Sequence, residues 1–318
     1  MSIAVRNLVK KYGEHAAIND ITFDVRTGEI LGFLGPNGAG KTTTMKIITC
    51  YMPPTAGSVE VDGLDIFERS LEVRRKIGYL PEMNPLYLDM NVREYLDYSA
   101  RLHGMRAPEV RQRTKEMVDV CGLESVRRKD IGELSKGYRQ RVGLAQAMIH
   151  DPEVLILDEP TSGLDPNQIV EIRNLIKELG RAKTVVLSTH ILSEVQATCD
   201  RVLIINEGLI VADGTPDQLA RDFHGADTLT VEFRTPALPL DDVAPKLKAL
   251  AGITRITLLG HADGACRFEV HADRGTDVRE TLFRTAVAEG WVVLEMHRRV
   301  TTLEEVFHKL TTAEQSTP

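Results

Sequence analysis

Residues 35–42 read Gly35-Pro36-Asn37-Gly38-Ala39-Gly40-Lys41-Thr42, a complete G-x-x-x-x-G-K-[ST] pattern. The short apolar run Ile30–Leu34 precedes it, and a helical pattern follows it from Lys41. Glycines let a backbone turn its N–H groups inward around a polyphosphate, and the start of a helix adds the positive end of its dipole. The order of strand, glycine-rich loop and helix therefore predicts a phosphate site rather than an ordinary turn.

Two side chains of this loop have separate expected tasks. Lys41 supplies a positive charge to the outer phosphates of a nucleotide, and the Thr42 hydroxyl is placed to coordinate Mg²⁺. ATP and Mg²⁺ are therefore the expected ligands. The loop residues expected to contact ATP are Gly35, Asn37, Gly38, Ala39, Gly40, Lys41, Thr42 and Thr43.

Two adjacent acids complete the predicted site. The apolar run 154–157 predicts a buried strand and ends in Asp158-Glu159, and open α/β sheets place ligands at the carboxyl ends of their strands. Asp158 would hold Mg²⁺ through water, and Glu159 would orient or deprotonate an attacking water. Acids at a strand end are also common in solvated turns, but the phosphate loop upstream favours catalysis by Glu159 together with Lys41.

The chain divides into two predicted domains. Short apolar runs alternate with helical patterns up to about residue 220, which predicts an α/β domain with a parallel sheet. After a polar segment, the order strand, helix, strand, strand, helix, strand predicts a small ferredoxin-like α+β domain. The predicted boundaries are 1–220 for the nucleotide-binding domain, 228–310 for the small domain and 311–318 for a flexible tail.

Composition excludes several classes of protein. The 318 residues include 39 Lys and Arg against 46 Asp and Glu, a formal charge of −7, which disfavours nucleic acid as a partner. The four cysteines are far apart, which favours reduced thiols over a metal site or a disulfide framework. No leader pattern and no bilayer-length apolar run are present in the sequence, so we expect any link to a membrane to come through a partner.

A second motif resembles the signature sequence of ATP-binding cassette ATPases. It reads Leu134-Ser135-Lys136-Gly137-Tyr138-Arg139-Gln140-Arg141 and precedes the Asp158 strand, as in that family. Further elements of the family pattern occur in the right order, namely Tyr12, Pro81-Glu82, Ser162-Gly163-Leu164-Asp165 and His190. The resemblance implies a P-loop fold in which a mixed sheet carries an antiparallel β subdomain and a helical subdomain.

The resemblance also implies roles for these residues. Tyr12 would stack on adenine, and His190 would hydrogen-bond the γ-phosphate as a third catalytic residue. Ser135, Gly137, Tyr138 and Asp165 would contact the nucleotide of a second cassette, because in the family this helix start faces away from its own phosphate loop. Since the chain has one phosphate loop, the expected assembly is an ATP-driven homodimer or a heterodimer with a second such ATPase.

Two positions depart from the commonest family pattern. Lys136 replaces a glycine, so it is either an extra clamp on the partner's γ-phosphate or a solvated side chain. Glu82 replaces the usual glutamine, and its carboxylate would repel the γ-phosphate unless Mg²⁺ lies between them. We therefore expect Glu82 to join the water shell of Mg²⁺ beside the nucleotide.

The expected partners are integral membrane permease subunits. In the family, the segment between Glu82 and Leu134 docks such a subunit, which would place the chain peripherally at the cytoplasmic face of the inner membrane. The apolar residues within 84–88 are either a socket for this partner or a local hydrophobic staple. Residues 228–310 resemble, more weakly, the C-terminal domain of bacterial drug, sodium and gliding-motility type exporter ATPases.

The sequence leaves other functions open. The leading interpretation is the ATP-hydrolysing subunit of an ABC transporter, most simply an exporter. One alternative is a soluble, non-transport ABC ATPase that acts as a mechanical switch, although such relatives usually carry two cassettes or long insertions. The third possible function is a regulatory nucleotide-binding module that does not hydrolyse ATP. The presence of both Glu159 and His190 argues against it.

Overall fold

The structure is a computed structural model, and it describes residues 1–222, 227–234, 240–262, 264–273 and 276–299, together with residues 304 and 307. It forms two compact units, one built around Met1–Pro216 and one around Asp217–Val306. The predicted tail 311–318, and all but two residues of 300–310 at the end of the predicted small domain, lie outside the described residues.

The first unit alternates strands and helices along the chain. Its strands are β1 (Ile3–Tyr12), β2 (His15–Val25), β3 (Ile30–Leu34), β4 (Ala56–Val61), β5 (Leu64–Asp65), β6 (Ile77–Leu80), β7 (Val154–Asp158), β8 (Thr184–Thr189), β9 (Arg201–Asn206) and β10 (Leu209–Gly214). Its helices are α1 (Lys41–Ile48), α2 (Ser70–Lys76), α3 (Val92–Leu102), α4 (Ala107–Val120), α5 (Lys136–Met148), α6 (Pro166–Gly180) and α7 (Leu192–Thr198).

A six-stranded sheet forms the centre of this unit, in the order β10-β9-β3-β8-β7-β6. All neighbours pair in parallel except β10, which forms an antiparallel hairpin with β9. Every residue of β3, β7 and β8 is buried, because other elements cover both faces of a parallel sheet. The predicted parallel α/β layer is therefore confirmed.

A second, antiparallel sheet has the order β2-β1-β4-β5. It shares one apolar core with the central sheet, in which the rings of Phe23 and Phe33 lie 5.5 Å apart. Helices α3, α4 and α5 form the helical region, where the Tyr95 hydroxyl donates a hydrogen bond to Oε1 of Gln146 over 2.9 Å. The expected antiparallel β subdomain and helical subdomain are both present.

The C-terminal elements are α8 (Pro216–Asp222), β11 (Asp227–Arg234), α9 (Leu240–Lys248), β12 (Ile253–Ala262), β13 (Ala265–Ala272), α10 (Arg279–Ala288) and β14 (Val292–Arg299). Their strands form one antiparallel sheet in the order β12-β13-β11-β14. A separate core lies between this sheet and the helices, with Phe233, Phe268, Leu282 and Trp291 among its members. This is the strand order of a ferredoxin-like βαββαβ fold, as predicted.

Candidate functional site

The phosphate loop connects β3 to α1 in a conformation that only glycine tolerates. Gly38 has a φ of +83° and Gly40 a φ of +109°, in the left-handed region where side chains are strained. A Cβ atom on Gly40 would lie 2.5 Å from the carbonyl oxygen of Ala17, and one on Gly35 would lie 2.4 Å from that of Ile205. The loop glycines are therefore required by the backbone as well as by the close approach of a phosphate.

Lys41 is the first residue of α1, and its ammonium group is buried. Nζ lies 2.7 Å from the carbonyl oxygen of Gly35 and 3.2 Å from that of Pro36. It also lies 3.5 Å from Oε1 of Glu159, and both side chains are less than a tenth exposed. A buried charge needs such partners, so the loop carbonyls and the carboxylate hold the ammonium at the place where phosphates would arrive.

Glu159 follows β7 and carries an unusual backbone conformation. Its φ is +49°, a strained value for a non-glycine residue and one that is enriched at functional sites. The Glu159 N–H donates to both the carbonyl oxygen and the hydroxyl of Ser188, at 3.1 Å each. Its Oε2 lies 2.9 Å from Nδ1 of His190. Strand β8 thus fixes the backbone of Glu159 and orients its carboxylate.

Asp158 lies next to α1 with one oxygen occupied and one free. Its Oδ1 accepts hydrogen bonds from the Thr42 hydroxyl at 3.2 Å and from the Ser188 hydroxyl at 2.5 Å. Its Oδ2 is buried and has no hydrogen-bond partner among the residues that the structure describes. A carboxylate oxygen and a hydroxyl are ligands that Mg²⁺ prefers, so Asp158 and Thr42 fit the expected ion.

Ligands other than Asp158 and Thr42 must complete the coordination of the expected Mg²⁺. Within the described ranges, no group of three or more His, Cys, Asp or Glu side chains could hold a metal ion. This arrangement agrees with Mg²⁺, which usually keeps several waters and binds through one or two carboxylates together with substrate phosphates. When bound, the ion would neutralise phosphate charge.

A cleft of about 370 Å³ brings most of the predicted site residues together. It is lined by Asn37, Gly38, Gly40, Lys41, Thr42, Thr43, Glu82, Glu159, Ser162 and His190. Glu82 also lines a neighbouring cleft of about 470 Å³, together with Thr42 and Asp158. The exposed Glu82 side chain is thus placed beside the proposed metal ligands, where its predicted role requires it.

The residues of the second motif lie apart from this cleft. Ser135 is exposed and caps α5, and its hydroxyl accepts a hydrogen bond from the backbone N–H of Tyr138 over 3.4 Å. Asp165 caps α6 and accepts from two backbone N–H groups. Gly137 packs against Gln168, whose amide carbon would lie 2.6 Å from an added Cβ. Within the described chain, the 370 Å³ cleft is lined by none of the four predicted residues Ser135, Gly137, Tyr138 and Asp165.

Two further predicted residues occupy exposed positions. Tyr12 is half exposed, its hydroxyl lies 3.2 Å from Sδ of Met52, and Nζ of Lys10 lies over its ring, 5.5 Å from the ring centre. Lys136 is also exposed, and its ammonium lies against Gly163. A Cβ atom added to Gly163 would be 2.1 Å from Nζ of Lys136. Lys136 therefore contacts the segment before α6 within its own chain.

Sequence reasoning missed Ser188, and it named Ser162 only as part of the family pattern and not as a site residue. Ser188 pairs in register with Asp158 across two parallel strands, and its hydroxyl bonds Asp158 while accepting from the Glu159 N–H. The position of Ser188 two residues before His190 was a usable signal, but the register of β7 against β8 is set by tertiary packing. Ser162 lines the cleft directly.

Known proteins resemble this chain in sequence. The family profile described as ABC transporter matches residues 18–162. The Nod factor export ATP-binding protein I of Burkholderia orbicola (strain AU 1054) is 37% identical over 252 residues, covering 77% of this chain and 82% of that protein. The uncharacterized ABC transporter ATP-binding protein YxlF of Bacillus subtilis (strain 168) is 32% identical over 310 residues, covering 97% and 99%.

A solved structure adds a likeness in three dimensions. A dimeric ATP-binding cassette in a post-hydrolysis state, bound to ADP and Pi, matches with a TM-score of 0.62 and 27% identity, covering 67% of this chain and 98% of that one. Within the described residues, no helix combines the length and apolar character that crossing a bilayer requires. The transport names of the relatives favour a transporter subunit over a soluble switch. With its phosphate loop, signature motif and fold in agreement, the chain belongs to the ABC transporter family as an ATP-binding ATPase subunit.

Proposed function

We propose that this ATPase works at two composite sites, each formed by the phosphate loop of one chain and the Ser135 end of another. One observation carries the proposal. Lys41, Glu159 and His190 meet in one cleft, whereas Ser135 and Gly137 of the same chain lie outside it. The start of α5 presents N–H groups and a positive dipole end that suit a phosphate. A second cassette paired head to tail brings that helix start to the open side of the cleft.

Within each composite site, the chain's own side chains divide the work. Lys41 holds the outer phosphates, and Glu159 takes the proton of the attacking water or orients it. His190 fixes the Glu159 carboxylate through the contact between Nδ1 and Oε2, and it would also donate a hydrogen bond to the γ-phosphate. Asp158 and Thr42 would hold Mg²⁺, and Glu82 would accept hydrogen bonds from its water shell. Tyr12 offers its ring to adenine.

Closure of the two cassettes would power transport through integral membrane permease subunits. Tyr87 and Leu88 are about half exposed in the segment after β6, and the Tyr87 ring packs edge-on against Tyr95 and Tyr98 at 6.0 and 5.7 Å. This aromatic cluster supports a socket for the permease rather than a staple that only closes the local fold. The chain would then lie at the cytoplasmic face of the inner membrane, and the export name of one relative favours outward transport.

Trapping the paired state tests the composite site. Glu159→Gln keeps the shape of the side chain but removes the base, so hydrolysis should fall by about 100-fold or more. With Mg-ATP the variant should run as a dimer in size-exclusion chromatography with light scattering, and without ATP as a monomer. Lys41→Ala added to the same chain should abolish the dimer. A Glu159→Gln protein that stays monomeric at saturating Mg-ATP would overturn the proposal.

The transport assignment needs a separate test. The tagged chain, isolated from membranes of its own organism in mild detergent, should retain a multi-span protein, and Tyr87→Asp should lose that protein while keeping the ATP-dependent dimer. Equal retention of the multi-span protein by the unchanged chain and by Tyr87→Asp would exclude the socket.

We further infer that residues 228–310 stabilise the dimer or regulate it. A chain ending at residue 227 should then show a changed ATPase rate or a weaker ATP-dependent dimer. Identical behaviour of the full and shortened chains would exclude both roles.

A further inference from the structure

The helical region contains a cavity of about 260 Å³ that the proposed function does not use. Its walls come from α3, α4 and the segment 124–127 that follows α4. Among the described residues, none lines both this cavity and either of the two clefts beside the phosphate loop. The cavity is therefore separate from the proposed ATP site.

Positive charge dominates the walls of this cavity. Four of the side chains that line it are cationic, namely Arg93, Arg111, Lys115 and Arg127. Two lining side chains are acidic, so the walls carry a formal charge of +2, whereas the whole chain carries −7. Cations held around one small space repel each other. An anion inside the cavity would relieve that repulsion.

Both acidic side chains of the cavity already have partners. Oδ1 of Asp97 accepts a hydrogen bond from the Thr114 hydroxyl over 2.6 Å, and its Oδ2 lies 3.9 Å from Nε of Arg93. The Glu124 carboxylate pairs with the Arg127 guanidinium. The two acids thus balance the cations of α3 and of the segment 124–127.

The two cations of α4 have no such balance. Arg111 and Lys115 lie one helical turn apart, a spacing at which like charges are unfavourable. In the part of the chain that the structure describes, neither side chain forms an ion pair. Thr114 and Val118, on the same face of α4, also line the cavity and are buried, whereas Arg111 and Lys115 are exposed. The cavity therefore has a buried floor and two unbalanced positive charges that a ligand can reach.

The chemistry of the walls indicates which anion fits. The planar fork of a guanidinium matches the geometry of phosphate, and a lysine adds a point charge. The volume lies below the range of about 300–1,000 Å³ that is typical of sites for drug-sized ligands, which favours a compact group. No described residue of the walls is aromatic, so the cavity offers no ring on which a nucleotide base could stack.

We infer that this cavity binds a compact phosphate anion with two or more negative charges. The phosphate belongs either to a soluble phosphate ester or to the headgroup of an anionic lipid, because both present the same charged oxygens to Arg111 and Lys115. The inference does not depend on the composite ATP site.

A calorimetric titration with inorganic pyrophosphate, without Mg²⁺, tests the site in the full chain. A Lys41→Ala background weakens phosphate binding at the loop. In that background, Arg111→Gln together with Lys115→Gln should weaken pyrophosphate binding by about tenfold or more, because two charges beside the anion are lost. Lys177→Gln together with Arg181→Gln is the matched control, since these exposed cations lie four residues apart at the end of α6. The control should bind pyrophosphate like its parent.

Vesicles distinguish the two sources of phosphate. Sedimentation with vesicles of phosphatidylglycerol and phosphatidylcholine, but not with phosphatidylcholine alone, would assign the site to a lipid headgroup if the Arg111→Gln, Lys115→Gln chain no longer sediments and the control still does. Pyrophosphate binding without vesicle binding would assign it to a soluble phosphate ester.

A conservative exchange separates lost charge from a damaged fold. Arg111→Lys together with Lys115→Arg keeps both charges and should retain binding. The inference would be overturned if the neutral pair of substitutions left pyrophosphate and vesicle binding unchanged, or if the α6 control or the conservative exchange lost as much binding as the neutral pair. Citrate binding as tightly as pyrophosphate would overturn the assignment to phosphate.

Discussion

The two oxygens of Glu159 serve two partners, since Oε2 lies 2.9 Å from Nδ1 of His190 and Oε1 lies 3.5 Å from Nζ of Lys41. The carboxylate thus joins the ends of β7 and β8 to the phosphate loop. The Glu159 carboxylate supplies negative charge to the buried Lys41 ammonium. The phosphate oxygens of bound ATP would replace Glu159 as the partner of Lys41. Glu159 would then be left with His190, beside which we propose that it activates water.

The contact with Glu159 gives His190 a measurable role. His190→Ala should lower the ATPase rate by about 100-fold or more, because an unfixed carboxylate loses its alignment with water. Mg-ATP affinity should change little, since Lys41 and the loop remain. Steady-state hydrolysis and direct binding would be measured side by side, with the exposed His261→Ala as the control. A variant that keeps more than half of the wild-type rate would refute this role.

The free oxygen of Asp158 predicts the response of the enzyme to metal. Asp158→Asn should raise the Mg²⁺ concentration for half-maximal hydrolysis by about tenfold or more, the usual effect of losing an outer-shell partner. Ser188→Ala should produce a smaller rise, because it removes only a hydrogen bond that orients Asp158. Titrating the ATPase rate with Mg²⁺ at fixed ATP measures both, and unchanged curves would exclude this metal site.

Glu82 predicts a second, independent effect on metal. If its carboxylate joins the water shell of Mg²⁺, Glu82→Gln should raise the half-maximal Mg²⁺ concentration by roughly a few-fold, through loss of one charge near the ion. The same Mg²⁺ titration, with the exposed Glu14→Gln as a matched control, tests it. Hydrolysis with unaltered Mg²⁺ dependence would show that Glu82 does not take part.

His150 predicts how stability depends on pH. Burial lowers its pKa from 6.5 to about 4, with help from the neighbouring His103, whose ring stacks on it at 3.9 Å. Between these values the unfolded chain binds a proton that the native chain does not, so the free energy of unfolding falls as pH decreases from 6.5 towards 4. His150→Gln should make that fall shallower.

Urea unfolding of both proteins at pH 7 and pH 5 measures this difference. The loss of stability on acidification should be smaller in His150→Gln, whereas an equal loss in the two proteins would mean that His150 does not titrate as proposed.

Local patterns were enough to predict much of the molecule. The phosphate loop and the acids after β7 follow from residue order, because a buried strand and a glycine-rich turn leave few alternatives. The antiparallel sheet and the roles of Ser135 and His190 came instead from family resemblance. The pairing of Ser188 with Asp158 could not be predicted, since strand register alone brings the two side chains together.

Mixing two inactive variants tests the composite site most directly. Lys41→Ala removes the loop half of each site and Ser135→Arg blocks the other half, so each protein alone should hydrolyse almost no ATP. Each mixed dimer has one intact site of two, whereas neither variant forms an intact site with itself, so the mixture should regain up to about half of wild-type turnover. A mixture as inactive as its components, or a Ser135→Arg protein at full speed, would contradict the account.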